Sequence, residues 1–178
     1  MLDPVVSVLI AVSGALLFGS AAFLKLRSPS VFAVTLGEYE ILPRSTVTVA
    51  GVLIGGLEVA VAAGLLWPAT RVASAVAGAA LLLLYAGAMG INLARGRRDL
   101  DCGCGVQPKT IGEWMLARNL LFAAALGVLL IPASTRALGI ADFTTVAGGV
   151  LVAALLYASA DMLLGRPARS PRFSMEPP

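Results

Sequence analysis

The sequence predicts an all-α integral membrane protein with five transmembrane helices. Its 178 residues are 58% hydrophobic and only 13% charged, with a mean hydropathy of +0.91, whereas an ordinary globular domain carries about 25% charge. Five apolar runs each approach the ~20 residues that cross a hydrocarbon core about 30 Å thick. The basic residues flank these runs instead of alternating with aromatic residues in a soluble domain, so the net charge of +3 does not indicate nucleic-acid binding.

The five predicted spans are residues 5–24, 47–67, 72–93, 114–131 and 145–164. The first run follows Asp3 and precedes Lys25, and it lacks both a basic leader and a small-residue cleavage site, so we expect it to stay in the protein. Residues 1–165 therefore form a single membrane domain in this interpretation. The rest, 166–178, is rich in proline and arginine and is predicted to be a disordered tail.

The distribution of lysine and arginine predicts the orientation, because cytoplasmic loops collect these residues. One face of the predicted topology carries ten of them and the other carries two, with Arg118 left out because it lies inside a span. The ten are Lys25, Arg27, Arg44, Arg95, Arg97, Arg98, Lys109, Arg166, Arg169 and Arg172, and the two are Arg71 and Arg136. We therefore expect an external N-terminus and cytoplasmic residues 95–113.

A short helix is predicted between the first two spans. Ser28 is a plausible N-cap, Pro29 suits the first helical position, and Pro43 ends the segment. Phe32, Leu36 and Tyr39 recur at near-helical spacing, which favours a helix lying in the membrane interface. Because successive connections alternate between faces, this helix shares a face with residues 95–113 and is placed to cover them.

The two cysteines of the chain, Cys102 and Cys104, stand one residue apart in the polar segment before the fourth span. No histidine is present, so imidazole cannot serve as a ligand or base. A Cys-Gly-Cys disulfide closes a small, strained ring, which makes the bond easily exchanged and suits a redox couple. Two other interpretations stay open: an idle pair of thiols, and a soft-metal site for Cu(I) or Hg(II) that binds or transports the ion.

The surroundings of the cysteines favour the thiolate form. Four cations lie close in sequence, partly offset by two aspartates: Arg95, Arg97, Arg98 and Lys109, with Asp99 and Asp101. Thr110 and Glu113 have the spacing of a capping box, which predicts that the fourth span begins at Ile111. The N-terminal end of that helix would then add its dipole close to the sulfur atoms.

Ionisable residues inside the spans are the second sign of function, since charge in lipid is costly. Glu58 lies about 16 Å into its span at 1.5 Å per residue, too deep to reach water, so it is predicted to be protonated, hydrogen-bonded or paired with Lys25 or Arg118. We favour a structural ion pair over a proton relay for it.

Arg118 lies only one turn beyond Trp114, so two placements are open. It either extends to the interface, or, with Asn119, faces the interior and holds a thiolate or a bound oxygen ligand. Asp161 lies near the end of its span and is predicted to form a surface ion pair with Arg166.

Several short motifs carry a resemblance to a known family. They are "KLRSP" after the first span, "YEILP" before the second, "GGLEVA" around Glu58, "DCGCG" before the fourth span and "LARNLL" within it. Together they resemble the MauE/DoxX family of redox-associated membrane proteins, over residues 1 to about 131. The paired cysteines with the downstream Arg-Asn are the more specific part of this match.

The resemblance implies a thiol–disulfide role for Cys102 and Cys104, with Lys25, Glu58, Arg118 and Asn119 at the polar positions of the family. It implies a bacterial inner membrane location, a thioredoxin-like partner and a role in the maturation of methylamine dehydrogenase. The helical core is similar to the four-helix bundle of the vitamin K epoxide reductase family, which implies a four-helix bundle plus a fifth helix and a possible quinone.

Two features depart from the family pattern. Val106 follows Gly105 where relatives often have phenylalanine, so an aromatic cover for the sulfur atoms is missing. A role in periplasmic disulfide formation also requires external cysteines, whereas the charge distribution predicts cytoplasmic ones. We follow the charge distribution for this chain, which makes the cysteine pair a donor of electrons.

Overall fold

The structure is a computed structural model that describes residues 1–103 and 109–165. Within these residues the chain forms six α-helices: α1 (Pro4–Arg27), α2 (Pro29–Glu38), α3 (Val47–Leu66), α4 (Arg71–Ala94), α5 (Glu113–Gly127, continued by a 3₁₀ turn at Val128–Leu130) and α6 (Ile140–Leu164). Five helices are long and apolar enough to cross a membrane, which confirms the predicted number. The predicted tail, 166–178, lies outside the described residues.

Helices α1, α3, α4 and α5 pack into a bundle, and α6 lies against α1 on its outside. Small and branched apolar side chains fill the bundle centre: Ala11, Ala15, Phe18, Val61, Leu65, Ala75, Leu81, Leu82, Ala123, Leu126 and Leu129. In α6, by contrast, Val146 is the one residue that is buried. Its other faces are apolar and exposed, which is the expected surface of a helix in contact with lipid.

Close helix contacts depend on glycines in α3. A β-carbon on Gly55 would lie 2.8 Å from the Leu26 side chain of α1, and one on Gly51 would lie 3.1 Å from the Phe32 ring of α2. Small residues at four-residue spacing allow such approach in lipid, where helices associate through packing. The glycine pair thus brings the C-terminal end of α1, and α2 after it, against α3.

Helix α2 begins at Pro29 as predicted but ends at Glu38, before the predicted limit at Pro43. Ser28 occupies the N-cap position, although its side chain makes no capping hydrogen bond. The chain then turns through Glu40, whose φ of 51° lies in the left-handed region. Helix α2 packs on α3 at the same end of the bundle as residues 95–103, so the predicted sharing of one face is confirmed.

The opposite end of the bundle is closed by contacts between distant parts of the chain. The backbone of Leu2 exchanges hydrogen bonds of 2.9 Å with Pro132 and Ser134. Arg136 donates to Asp142 at 2.8 Å and to Asp3 at 3.2 Å, and these hydrogen bonds raise the pKa of the Arg136 guanidinium. The Asp142 carboxylate also accepts from the Gly139 N–H at 2.8 Å, so α6 begins at Ile140, five residues before the predicted start.

Candidate functional site

The segment that carries Cys102 is anchored by a short antiparallel pairing. The N–H of Cys102 donates to the carbonyl of Lys109 at 3.0 Å, and the N–H of Ile111 donates to that of Leu100 at 2.9 Å. The buried Ile111 side chain joins an apolar cluster with Met89 and Met115. Cys104 lies outside the described residues, as does Val106. Cys102 is therefore held in place by backbone hydrogen bonds.

This pairing also corrects the predicted start of α5. The helix begins at Glu113, with Gly112 at the N-cap, and not at Ile111 after a Thr110 cap. Thr110 pairs with Asp101 in the antiparallel bridge, so its backbone is extended. Burial of Ile111 in the apolar cluster favours this extended conformation over an additional helical turn.

Helix α2 covers the cysteine segment, as the sequence predicts. Gly103 has a φ of +64°, and a β-carbon on it would lie 3.2 Å from both Phe32 and Thr35. A left-handed φ and a close neighbour both favour glycine at this position. The Asp101 carboxylate further fixes the turn by accepting from the N–H groups of Gly103 and Lys109 at 3.3 and 3.1 Å.

A small cavity of about 60 Å³ lies beneath this cover. Cys102 forms part of its wall, and so does Lys25 at the C-terminal end of α1. The remaining wall is mostly apolar and comes from α2, α3 and α4: Phe32, Thr35, Leu36, Tyr39, Ile54, Leu84, Tyr85, Ala88 and Met89. A volume of this size holds only a few water molecules. The cavity therefore joins one thiol-bearing residue to one cation in apolar surroundings.

Lys25 forms a buried ion pair with Glu58 of α3, and the two side chains are 3% and 1% exposed. Of the two partners expected for Glu58, the structure thus gives Lys25. The Tyr85 hydroxyl of α4 donates to Glu58 Oε1 at 2.7 Å and lies 3.4 Å from Lys25 Nζ. The ammonium also lies 5.2 Å from the centroid of the Phe32 ring and 4.8 Å from that of Tyr85, where ring quadrupoles stabilise it.

The Glu58 carboxylate is satisfied on one side alone. Oε1 accepts from both Lys25 and Tyr85, whereas the buried Oε2 has no hydrogen-bond partner within residues 1–103 and 109–165. Buried polar atoms usually have partners, so such an oxygen indicates a proton, a water molecule or a functional role. Asn119, also buried, has an amide nitrogen that shares this property over the same residues.

The cations near the cysteines in sequence are engaged with carboxylates. Arg97 contacts Glu40 at 3.0 Å, and Arg98 contacts Glu113 at 2.8 Å. Lys109 pairs with Asp161 of α6. A carboxylate partner offsets the positive charge of each of these three side chains, so their expected effect on the thiols stays a prediction. Lys25, which is remote in sequence, lies at the cavity that Cys102 lines.

Arg118 is buried, with 7% of its side chain exposed. Its guanidinium donates to the Tyr157 hydroxyl at 3.0 Å and lies 3.5 Å from Asp161 Oδ1. Its side chain is buried at the seam between α5 and α6, a position between the two expected placements. Asp161 pairs with Lys109 and Arg118, whereas Arg166, its expected partner, lies outside the described residues.

Two polar residues of α4 belong to the site although the sequence analysis did not select them. Tyr85 completes the Lys25–Glu58 pair, and Asn92, fully buried, donates to the carbonyl of Tyr39 at 3.2 Å. Asn92 thereby fixes the end of α2 above the cavity. Both interrupt an otherwise apolar span, and this interruption is the signal that identifies them.

These features define a class of protein: a multi-pass helical membrane protein with a buried ion pair beneath a cysteine-bearing segment. The sequence profile of the family described as methylamine utilisation protein MauE matches residues 3–132 of the chain. The matched region includes α1 to α5, with Lys25, Glu58, Tyr85 and Cys102. No solved structure matches the chain significantly.

Full-length relatives extend the match. The chain is 34% identical to methylamine utilization protein MauE of Methylophilus methylotrophus over 170 residues, 93% of this chain and 90% of the relative. It is 37% identical to that of Paracoccus denitrificans over 172 residues, again 93% and 90%. With the protein of Paracoccus versutus the identity is 38% over 163 residues, 88% and 86%. The chain belongs to the MauE family, which confirms the resemblance in the sequence.

Proposed function

We propose that this protein is a membrane thiol–disulfide redox protein that uses Cys102 and Cys104 in methylamine utilisation. The names of its relatives support the biological role. The observation that carries the chemistry is the placement of Cys102 on a small cavity whose wall also includes the buried Lys25 side chain. A cation beside a thiol favours the thiolate, which is the form that attacks disulfides.

In the proposed reaction, the Cys102 thiolate attacks a disulfide of a thioredoxin-like partner and forms a mixed disulfide. Cys104 then attacks Cys102, which forms the Cys102–Cys104 bond and releases the partner as a dithiol. Two electrons and two protons pass to the partner in total. A core similar to that of vitamin K epoxide reductase would allow a quinone to replace the thioredoxin-like partner as the acceptor. The Cys102–Cys104 dithiol would then reduce the quinone to a quinol by transfer of two electrons and two protons.

Trapping of the mixed disulfide tests this scheme directly. In Cys104→Ser the second step is blocked, so Cys102 should stay bound to its partner through a disulfide that a reductant releases. Cys102→Ser should trap none, since it removes the attacking thiol. Equal trapping by both variants, or none by either in cells that grow on methylamine, would contradict the order of attack.

A redox titration of the purified protein separates this function from soft-metal binding. Mass-tag counting of thiols should show both cysteines oxidised together as a two-electron couple, without stoichiometric copper or mercury. Among the described residues, no group of three or more histidine, cysteine, aspartate or glutamate side chains is placed to hold a metal ion. A purified protein with one Cu(I) per chain and no redox transition would favour the metal function.

The side of the membrane decides the direction of electron flow. The charge distribution predicts cytoplasmic cysteines, which cellular reductants would keep reduced. A membrane-impermeant maleimide should therefore label them only after permeabilisation, with and without prior reduction. Strong labelling of intact cells would reverse the orientation and make the pair an oxidant for periplasmic substrates.

A further inference from the structure

We propose that Lys25 is a shared cation that serves Glu58 and Cys102 in turn, and that Glu58 receives the thiol proton of Cys102. This inference rests on the proposed redox function and assigns to the ion pair a part in forming the reactive thiolate. The pair would thus be a positioning and proton-accepting device, and not merely a structural bond between α1 and α3.

Geometry is the first support. Lys25 contacts Glu58 and lines the cavity to which Cys102 also contributes. An ammonium has three N–H donors, and in the described part of the chain two of them have acceptors, Glu58 Oε1 and the Tyr85 hydroxyl. Lys25 and Cys102 line the same cavity, which holds a few water molecules at most, and in the proposal the ammonium moves across it from one group to the other.

The unpartnered Oε2 of Glu58 is the second support. This oxygen is buried and has no donor among the described residues, so it is the natural site for a proton. In the proposed step, the S–H bond of Cys102 breaks and its proton passes by way of water to Oε2 of Glu58, which contacts the cavity wall at Lys25. The Lys25 ammonium moves from the carboxylate to the new thiolate, while Tyr85 remains bonded to the carboxyl group.

Conservation of charge explains why the step suits a buried site. Before the transfer, the group contains one ammonium, one carboxylate and one neutral thiol. After it, the group contains one ammonium, one thiolate and one neutral carboxylic acid. No net charge enters the low-dielectric interior, and the cation remains paired at both stages, so the large cost of an isolated buried charge is avoided.

The other titratable groups around Cys102 are phenols or already have hydrogen-bond or ion-pair partners. From α2 and α4 the cavity receives the phenols of Tyr39 and Tyr85. On the segment itself, Asp101 accepts from two backbone N–H groups, and Lys109 pairs with Asp161. Lys25 is therefore the ionised group on the cavity wall, and Glu58 contacts it from α3.

The pH dependence of alkylation of Cys102 tests the inference. The full chain is used in detergent or nanodiscs with Cys104→Ser, so that one thiol reacts with iodoacetamide. Lys25→Met should slow alkylation at neutral pH by about tenfold, one pKa unit, because the thiolate loses its cation. Glu58→Gln should accelerate alkylation by a similar factor, because the Lys25 ammonium then has the thiolate as its one anionic partner in the site.

The shape of the profile provides a second readout. Proton transfer between Cys102 and Glu58 does not change the net charge of the site, so the fraction of thiolate that it produces does not depend on pH. The rate of alkylation in the parent protein should therefore reach a plateau on the acid side of the thiol titration. Glu58→Gln should lose this plateau. Shifts of Lys25→Met and Glu58→Gln in the same direction, or a plateau that survives in Glu58→Gln, would overturn the inference.

Matched controls separate this result from unfolding and from failure of the redox function. Arg98→Gln removes an exposed cation of the same segment and should leave the profile unchanged. Lys25→Met with Glu58→Gln is electroneutral and should react as an ordinary thiol without a plateau, whereas a plateau in it would contradict the inference. Alkylation of Cys102 does not require formation of a disulfide. If Lys25→Met and Glu58→Gln shift the alkylation rate in opposite directions but the two cysteines never form a disulfide, the redox function is rejected and the role of Lys25 and Glu58 stands.

Discussion

The protein buries two cations, Lys25 and Arg118, in different surroundings. Lys25 and its single carboxylate partner lie inside the four-helix bundle and are almost completely inaccessible. Arg118 lies at the seam with α6, where Asp161 is 20% exposed and also binds Lys109. The first arrangement has balanced charge and adjoins the cysteine cavity, whereas the second has an excess cation and attaches a peripheral helix. Polar residues in spans thus occupy two settings here, an inaccessible pair inside the bundle and a partly exposed cluster where α6 attaches.

The largest effect is expected when the interior pair is broken. Glu58→Leu leaves the Lys25 ammonium buried without a counter-charge, which should cost about 3–5 kcal/mol of unfolding free energy. Glu58→Gln should cost less, because its amide still accepts a hydrogen bond. Adding Lys25→Met to Glu58→Leu should recover most of the loss in denaturant titrations of the detergent-solubilised protein. A double variant no more stable than the single one would mean that the pair is not what Glu58→Leu disrupts.

A smaller effect is expected at the seam. Asp161→Asn removes the carboxylate that Lys109 and Arg118 share, and because the site is partly exposed the loss should be about 1 kcal/mol. Lys109, with 16% of its side chain exposed, remains within reach of water, and the buried Arg118 keeps its hydrogen bond to the Tyr157 hydroxyl. The same denaturant titration measures this, with α6 becoming more sensitive to proteolysis. A loss as large as that of Glu58→Leu would erase the distinction between interior and seam.

A similarly small effect on stability, with a clear effect on access to Cys102, is expected at Gly103. Gly103→Ala should cost about 1 kcal/mol, since alanine is strained at a φ of +64°. Its β-carbon should also displace Phe32 and Thr35, so that Cys102 is alkylated several-fold faster.

Gly96→Ala is the matched control for this change. Gly96 has a φ of +77°, but a β-carbon added to it would have no neighbour within 4 Å among the residues that the structure describes. It should show a similar loss of stability and unchanged alkylation. Equal acceleration in both variants would show that loop strain, and not the cover of α2, limits access to the cavity.

Much of the fold follows from the sequence, because hydrophobic length alone determines the number of spans. The placement of α2 and Cys102 at one end also follows, since connections between spans alternate in side. The partner of Glu58 did not follow uniquely. By sequence alone, either Lys25 or Arg118 can pair with Glu58. Which of them does so depends on how the helices are rotated against one another. Close contacts such as that at Gly55 determine this rotation.

The loop was harder to predict for a related reason. Thr110 and Glu113 have the local pattern of a helix start, yet burial of Ile111 and the pairing of Asp101 with Thr110 outweigh that pattern. Likewise, closeness in sequence placed Arg97, Arg98 and Lys109 near the thiols, but carboxylates from other segments bind them. Ion pairs between residues that are far apart in the chain cannot be predicted from a single sequence.

The contacts of Arg136 have a consequence for the order of assembly during synthesis. Asp3 and Arg136 are separated by 133 positions in the chain, and at ~5–20 residues per second a ribosome needs on the order of ten seconds to produce that stretch. Throughout this interval the first span lies in the bilayer without the hydrogen bond between Arg136 and Asp3. The end of the bundle opposite Cys102 therefore cannot close until Arg136 has been synthesised, and a chain that stalls before that point leaves Asp3 without this partner.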